Sequence, residues 1–241
     1  MTVTPIRTPL AVETADLDVV VFDGYKDVHK GIRNELFGVT YAAGNVDPGD
    51  QEALAAHGER LRQLVRMLIS HAEHEDEYVG PAIRRHAPEL TDVIGHDHAV
   101  LEAQMASLEV LSARAVEAVP DRRRALTHRL YLGLASFTAE YLHHQAVEEM
   151  EVSPALSRAM SVEELLGINQ AIIASIPPDE MAIGLSFMIP AMNIDDRTEL
   201  LGGMKAGAPR EIFAGVWGLV GSVLPSGDYT ALAARLGESA A

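Results

Sequence analysis

The sequence predicts an all-α fold: an antiparallel up-down four-helix bundle followed by a C-terminal helical extension. Alternating polar and apolar runs are nearly absent, and residues 17–22 are the one candidate strand. Aromatic residues make up only 5% of the chain, whereas the helix formers alanine and leucine are abundant. Glycine and proline breakers divide the first two-thirds of the chain into four long segments, which is typical of a bundle with short loops.

Each of the four segments is bounded by a recognisable start or stop signal. Asp50 follows the turn at Pro48-Gly49 and is a predicted N-cap. Ser161, with Glu164 three residues later, predicts a capping box that opens the next helix after the bundle. The predicted bundle helices span roughly residues 16–43, 50–86, 89–119 and 121–159.

The last third of the chain, residues 161–241, differs in composition from the predicted bundle, residues 1–160. Prolines at five positions cut it into short predicted helices. It is apolar and carries the only tryptophan, Trp217, together with methionines that we expect to fill a core. Disordered segments lack such apolar content, so we expect this extension to pack on the bundle or on a partner chain, the second arrangement giving a homodimer.

The composition excludes several classes of function. A formal net charge of −16 argues against binding of nucleic acid or of an anionic membrane surface. The absence of cysteine excludes disulfides, zinc–thiolate sites, iron–sulfur clusters and a cysteine nucleophile. No apolar stretch reaches the length of a membrane span, and residues 1–18 lack the apolar core of a signal peptide. We therefore expect a cytoplasmic protein.

An internal repeat connects the second and fourth predicted helices at an offset of 73 residues. His71, Glu75 and Pro81 of the second helix recur as histidine, glutamate and proline in the fourth, as do an alanine and an arginine beyond them. Self-similarity at a fixed offset indicates two copies of one structural unit. The sequence thus predicts two helix hairpins related by a pseudo-twofold axis.

Each repeat places a histidine and a glutamate four residues apart, on one face of a helix. Each hairpin also carries a histidine on its first helix, His29 in one and His98 in the other. Nitrogen and oxygen donors without thiolate suit non-haem iron, with manganese or zinc as alternatives, and two carboxylates between two metals can bridge them. The predicted metal ligands are His29, His71, Glu75, His98, His144 and Glu148.

This order of residues resembles the hemerythrin-like HHE family: His, then His-x-x-x-Glu, then His, then His-x-x-x-Glu. The acidic-apolar-proline stretches that end at Pro81 and Pro154 are also similar to those of the family. The resemblance covers about residues 16–159. It implies a four-helix bundle and two iron ions, joined by the glutamates and by an oxo, hydroxo or water bridge. It also implies chemistry with dioxygen, peroxide or nitric oxide.

The chain departs from the oxygen-carrying members of that family, which have a fifth histidine four residues from another on the third helix. Here Ile94 and Glu102 occupy the positions four residues before and after His98, and His96 points elsewhere on the helix. One iron is then more open, or is bound by Glu102 or water. Tyr25 and Tyr78 are further candidates for contact with the metals, although core packing is the role we expect of them.

Other polar residues near the motifs are expected to be solvated. We predict that His74 and His143 lie off the metal face, that His57, His86 and His128 face solvent, and that Glu77 and Glu149 belong to acidic surfaces.

Three functions remain open at this point. The first is a di-iron protein that binds or reduces dioxygen, peroxide or nitric oxide. The second is an oxidase or oxygenase for a small organic substrate held under the extension. The third is an iron or oxygen sensor without turnover. The sequence lacks the paired Glu-x-x-His motifs of ferritin-like di-iron proteins, a zincin motif, a phosphate-binding loop and a nucleophile elbow.

Overall fold

A computed structural model describes residues 17–239, and all regular secondary structure in this range is helical. Residues 1–16, which include most of the segment tested for a signal peptide, lie outside the described part, as do residues 240–241. The helices of the bundle are α1 (Lys26–Asn45), α2 (Gln51–His74), α3 (Gly80–His86), α4 (Pro88–Glu117), α5 (Pro120–Val147) and α6 (Ser153–Ala159).

The prediction that the first helix begins near residue 16 is wrong, because α1 begins at Lys26. The carboxylate of Asp23 accepts hydrogen bonds from the backbone N–H groups of Tyr25 and Lys26, which defines a turn before the helix. The candidate strand at residues 17–22 instead contains a short 3₁₀ turn, Leu17–Val19. The predicted N-cap at Asp50 is confirmed, since its side chain accepts from the N–H of Ala53.

The second and fourth bundle helices each contain a π-helical turn, Glu75–Val79 and Glu148–Val152. In each turn the N–H five residues after the first glutamate donates to the carbonyl of that glutamate, from Gly80 in one copy and Ser153 in the other. A proline follows directly, at the first turn of α3 and of α6. Proline has no N–H and its ring clashes with the carbonyl four residues earlier, so the wider turn accommodates it within a continuing helix.

The four long helices α1, α2, α4 and α5 pack in a ring, each against its neighbours in the up-down order. Two apolar clusters stack along the bundle. One contains Leu36, Leu64, Leu108 and Leu134, and the other, nearer the π-turns, contains Val79, Ile94 and Val152. Between the two clusters lies a layer of buried histidines and carboxylates. Buried charges on this scale require mutual pairing or a bound cation.

The extension forms five further helices, α7 (Val162–Ser175), α8 (Pro178–Ala191), α9 (Ile194–Gly207), α10 (Arg210–Val223) and α11 (Ser226–Leu236). The predicted capping box of Ser161 and Glu164 opens α7. The extension has its own apolar cluster, centred on Leu185, Leu201 and Leu232. Prediction and structure therefore agree that this segment is folded and helical.

Helix α8 lies against α1 of the bundle. The approach is close at Gly31, where a Cβ atom would lie 3.1 Å from the backbone N and Cα of Met188. Lys26 and Lys30 both pair with Asp196 at the start of α9. The extension thus packs on the helix that carries His29.

Within the described residues, no single helix is long and apolar enough to cross a membrane. Helices α7 and α8 together have the length and hydropathy of a membrane span, but the chain bends by 116° between them.

Candidate metal centre

All six predicted ligands converge in the polar layer between the two apolar clusters. His29 lies in the first turns of α1, and His98 lies in α4. His71 and His144 lie in the last turns of α2 and α5. Each precedes by one turn a glutamate that begins a π-turn. Every one of these side chains is buried apart from His71, which keeps 10% exposure. The duplication therefore brings residues from four different helices to one place.

The first half of the centre contains His29 and His71. Their Nε2 atoms are 3.3 Å apart. Oε1 of Glu75 lies 3.1 Å from Nε2 of His71, and Oε2 of Glu148 lies 3.4 Å from Nε2 of His29. One ligand atom from each of the four residues lies within 4.8 Å of all the others, which is the arrangement a single cation needs.

The second half contains His98 and His144 and uses the same two glutamates. Oε2 of Glu75 lies 3.5 Å from Nε2 of His98. Oε1 of Glu148 lies 3.2 Å from Nε2 of His144 and 3.9 Å from Nε2 of His98. These four residues also satisfy the distance condition for one cation. The two halves correspond through the repeat, His29 with His98 and His71 with His144.

Each glutamate divides its two oxygens between the two halves. Oε1 of Glu75 faces His71 while its Oε2 faces His98, and Oε2 of Glu148 faces His29 while its Oε1 faces His144. A carboxylate placed in this way can join two cations, one at each oxygen. The two four-residue clusters therefore share both glutamates.

Unsatisfied buried atoms show that the donors fit a cation. Both oxygens of Glu75, Oε2 of Glu148 and Nε2 of His98 are buried without a hydrogen-bond partner among the described residues. The neighbouring ring nitrogens are close but lack the alignment of hydrogen-bond donors. Leaving a buried carboxylate oxygen unpaired costs free energy, and a metal ion would satisfy it.

The charges of the centre are coupled. Burial lowers the pKa of His144, but Asp97 and Glu148 outweigh burial and raise it to about 10. Burial raises the pKa of Glu75, yet His71 and His98 bring it well below its usual range. Without a metal, the raised pKa of His144 and the lowered pKa of Glu75 favour a protonated imidazole and an ionised carboxylate at these two positions. A bound cation would replace those protons, so metal binding and proton release are linked.

Two acids outside the ligand set hold the far sides of the histidine rings. Oε1 of Glu149 lies 2.9 Å from Nδ1 of His29, and Oδ1 of Asp76 lies 2.9 Å from Nδ1 of His98. Each acid directly follows a glutamate of the centre and contacts a histidine of the other hairpin. An acceptor at Nδ1 places the ring proton there and leaves the Nε2 lone pair for a metal.

The prediction that Glu149 belongs to an acidic surface is wrong. Besides His29 it binds Arg33, which donates from both terminal nitrogens at 2.8 and 2.7 Å. Burial raises the pKa of Glu149, but His29 and Arg33 lower it to about 2 on balance. Sequence reasoning missed both this residue and Asp76, although the repeat offset of 73 relates them and carried the signal.

The other candidates divide into those near the centre and those away from it. The Tyr25 ring packs on His29 with centroids 4.9 Å apart, whereas Tyr78 pairs with His74 instead. His96 is exposed, as predicted, and Glu102 is exposed and belongs to neither four-residue cluster.

Two further residues were judged wrongly or overlooked. His57 does not face solvent, since it is buried and its Nε2 lies 3.0 Å from the carbonyl of Val39. Tyr141 was overlooked. It is buried beside His144, with ring centroids 5.8 Å apart. Burial, together with the charges of Glu75 and Glu148, raises the pKa of Tyr141 well above its usual value, so its hydroxyl stays protonated next to the centre.

Comparison with known proteins agrees with this geometry. The family model for the hemerythrin HHE cation binding domain matches residues 20–156, more than half of the chain. No curated protein and no solved structure matched. The matched segment contains all six converging residues and ends before the extension. The chain therefore belongs to the hemerythrin HHE cation-binding family.

Proposed function

We propose that this chain is a non-haem di-iron protein that binds or reacts with dioxygen, peroxide or nitric oxide. The observation that carries the proposal is the division of Glu75 and Glu148, each with one oxygen toward each histidine pair. Imidazole and carboxylate donors without thiolate suit iron in this setting. The family match supports cation binding in general.

The number of donors supports reactivity as well as binding. Each half of the centre offers two imidazole nitrogens and two carboxylate oxygens, whereas iron in such sites takes up to six ligands. Positions are therefore left for a small exogenous ligand. When bound, an iron pair supplies Lewis acidity and two electrons to such a ligand.

The chain's own residues prepare the site for this chemistry. Glu149 and Asp76 fix the orientation and tautomer of His29 and His98 through Nδ1. The protonated Tyr141 places a hydrogen-bond donor in the same layer. The apolar clusters on both sides exclude bulk water, which strengthens every electrostatic interaction within the layer.

The cavity that reaches the centre is small, which favours small ligands. One cavity of about 610 Å³ lies at the opposite end of the bundle, lined by Phe37, Tyr41 and Tyr131 among others. A second, of about 90 Å³, reaches His98 and His144. Both are lined by bundle residues alone.

The test is spectroscopic, on the anaerobically reduced, iron-loaded full-length protein. We expect absorption changes on adding dioxygen and then peroxide, and we expect His71→Ala to abolish them. His128→Ala, an exposed histidine on α5 far from the centre, is the matched control and should behave as the unaltered protein. Purified protein with no metal, or with zinc at a single site, would contradict the proposal.

A further inference from the structure

The two halves of the centre differ in how they are closed off from solvent. On one side, a cavity of about 90 Å³ opens between α2 and α4. His98, His144 and Tyr141 lie at its buried end, and exposed acids lie at its mouth. We call this space the entry cavity. It leads to the half of the centre formed by His98 and His144.

The volume of the entry cavity limits what can occupy it. An apolar protein cavity of about 150 Å³ admits benzene. At about 90 Å³ the entry cavity is smaller, so it suits molecules of two to four atoms and not an aromatic substrate. Its walls are the apolar side chains of Leu68, Ile69, Leu101 and Met105. Uncharged small molecules fit such walls without losing hydrogen bonds.

The mouth of the entry cavity carries charge of one sign. Glu73, Asp76 and Glu102 line it and are exposed, and no lysine or arginine among residues 17–239 lines the cavity. Like charges focused at an opening repel anions and admit neutral molecules and cations. Charge and size together therefore select a small neutral ligand.

The repeat places larger or paired side chains at the corresponding positions of the other half. Ala72, which lines the entry cavity, corresponds at the offset of 73 to Gln145, whose side chain is 0% exposed. Glu102, four residues after His98, corresponds to Arg33, four residues after His29. Arg33 forms a double hydrogen bond with Glu149 beside His29, whereas Glu102 and Asp76 are both acids and cannot form the corresponding ion pair. The side chain of Gln145 and the Arg33–Glu149 pair thus close the half of the centre that contains His29.

We propose that the exogenous ligand reaches the metal pair through the entry cavity, on the side of His98 and His144. Ala72 and Glu102 keep this route open, while Gln145 and the Arg33–Glu149 pair close its counterpart. The inference rests on the proposed di-iron function and adds to it the side of approach and the selection for small neutral ligands. The competing route is the edge of His71, whose side chain retains 10% exposure.

The test measures nitric oxide binding to the ferrous, iron-loaded full-length protein by stopped-flow absorption. Ala72→Gln places the residue of the repeat mate in the cavity wall, and we expect it to abolish the rapid binding phase. Ala72→Leu fills the cavity without a polar group and should do the same. Ala56→Gln makes the same exchange at an exposed position on the same helix and should bind as the unaltered protein.

A rescue experiment separates blocked access from a damaged centre. In the Ala72→Gln background, Arg33→Ala with Gln145→Ala opens the counterpart route, and we expect rapid binding to return. A charge test complements it. Glu102→Gln should speed azide binding to the oxidised protein roughly two- to threefold by reducing repulsion, and leave nitric oxide binding unchanged.

The outcomes distinguish this inference from the proposed function. If the Ala72 variants retain full iron content and bind nitric oxide at the unaltered rate, approach occurs at the edge of His71 and the inference is wrong, while the di-iron function stands. If the unaltered protein holds no iron, or its reduced form responds to none of dioxygen, peroxide and nitric oxide, both are wrong.

Discussion

The two hairpins of the bundle carry matching residues at the metal centre but different residues on the sides that face away from it. Both present His-x-x-x-Glu at the start of a π-turn, and both use the following acid to hold a histidine of the other hairpin. Their outer sides differ. The α1 side is closed by Arg33 with Glu149 and covered by α8, whereas the α4 side has a cavity with an acidic mouth.

This difference separates two requirements of a metal protein. Holding cations needs converging donors, and the repeat preserves them at matched positions. Admitting a ligand needs one open side, and the departures from the repeat supply it at Ala72 and Glu102. Substitutions of the shared glutamates therefore test metal binding, and substitutions at Ala72 and Glu102 test ligand access.

The largest expected effect is the loss of both metals from one substitution. Glu148→Gln removes a charged oxygen from each half, so we expect metal content per chain to fall close to zero. His29→Ala and His144→Ala each damage one half and should leave the other ion bound. Elemental analysis of the purified variants measures this. A Glu148→Gln protein that keeps one ion, as the histidine variants do, would contradict the bridging role.

Metal removal is expected to destabilise the whole bundle, because the two halves of the centre together connect all four long helices. Binding at about 1,000 times the dissociation constant contributes about 4 kcal/mol. For a domain of this size that corresponds to a loss of roughly 8–16 °C in melting temperature on chelation. Calorimetry before and after chelation measures it. An unchanged melting temperature would show that the site is not occupied in the purified protein.

The metal-free protein should lose stability as the pH rises. The pKa of His144 is raised from 6.5 to about 10, and those of His71 and His98 are also raised. A raised pKa contributes stability that is complete below the unfolded value and disappears as the pH rises through the folded value. We expect the melting temperature of the metal-free protein to be lower at pH 9 than at pH 6. His144→Gln should flatten this dependence, and a rise toward pH 9 would contradict it.

Removing the acids behind the histidines is expected to weaken metal binding about 10- to 100-fold. Glu149→Gln should have the larger effect, because Glu149 is 22% exposed and is held by Arg33. Asp76→Asn should have the smaller effect, because the Asp76 side chain is 62% exposed. Competition with a metal-binding dye gives both affinities. Equal effects would show that Arg33 does not strengthen the His29 contact.

The smallest expected effect concerns the attachment of the extension. Asp196→Asn removes ion pairs with Lys26 and Lys30, whose side chains are 34% and 31% exposed. Pairs of this exposure contribute up to about 1 kcal/mol, which corresponds to about 2–4 °C in melting temperature. Gly31→Leu should cost more, because its side chain would collide with the backbone of Met188. If neither variant lowers the melting temperature, the extension does not stabilise α1.

The sequence predicted the converging residues because duplication makes them visible. A pair four residues apart is common, but the same pair at an offset of 73, with a proline at the same distance beyond it, is not. The helical fold followed from breakers and caps such as Asp50 and Ser161, which act through local hydrogen bonds and so can be recognised locally.

What the sequence did not predict depends on contacts between distant segments. Glu149 looks like any acid on a helix surface, and only the packing of α1 on α5 brings Arg33 and His29 to it. The buried state of His57 depends on the carbonyl of Val39, which one chain segment cannot reveal. The start of α1 was placed too early because the turn at Asp23 has no strong sequence signal.

The most direct test of the central claim is crystallographic. Anomalous diffraction at the iron edge, from crystals of iron-loaded protein, should give two peaks. One should lie among His29, His71, Glu75 and Glu148, and the other among His98, His144 and the same two glutamates. A single peak, or peaks away from Glu75 and Glu148, would contradict a carboxylate-bridged iron pair.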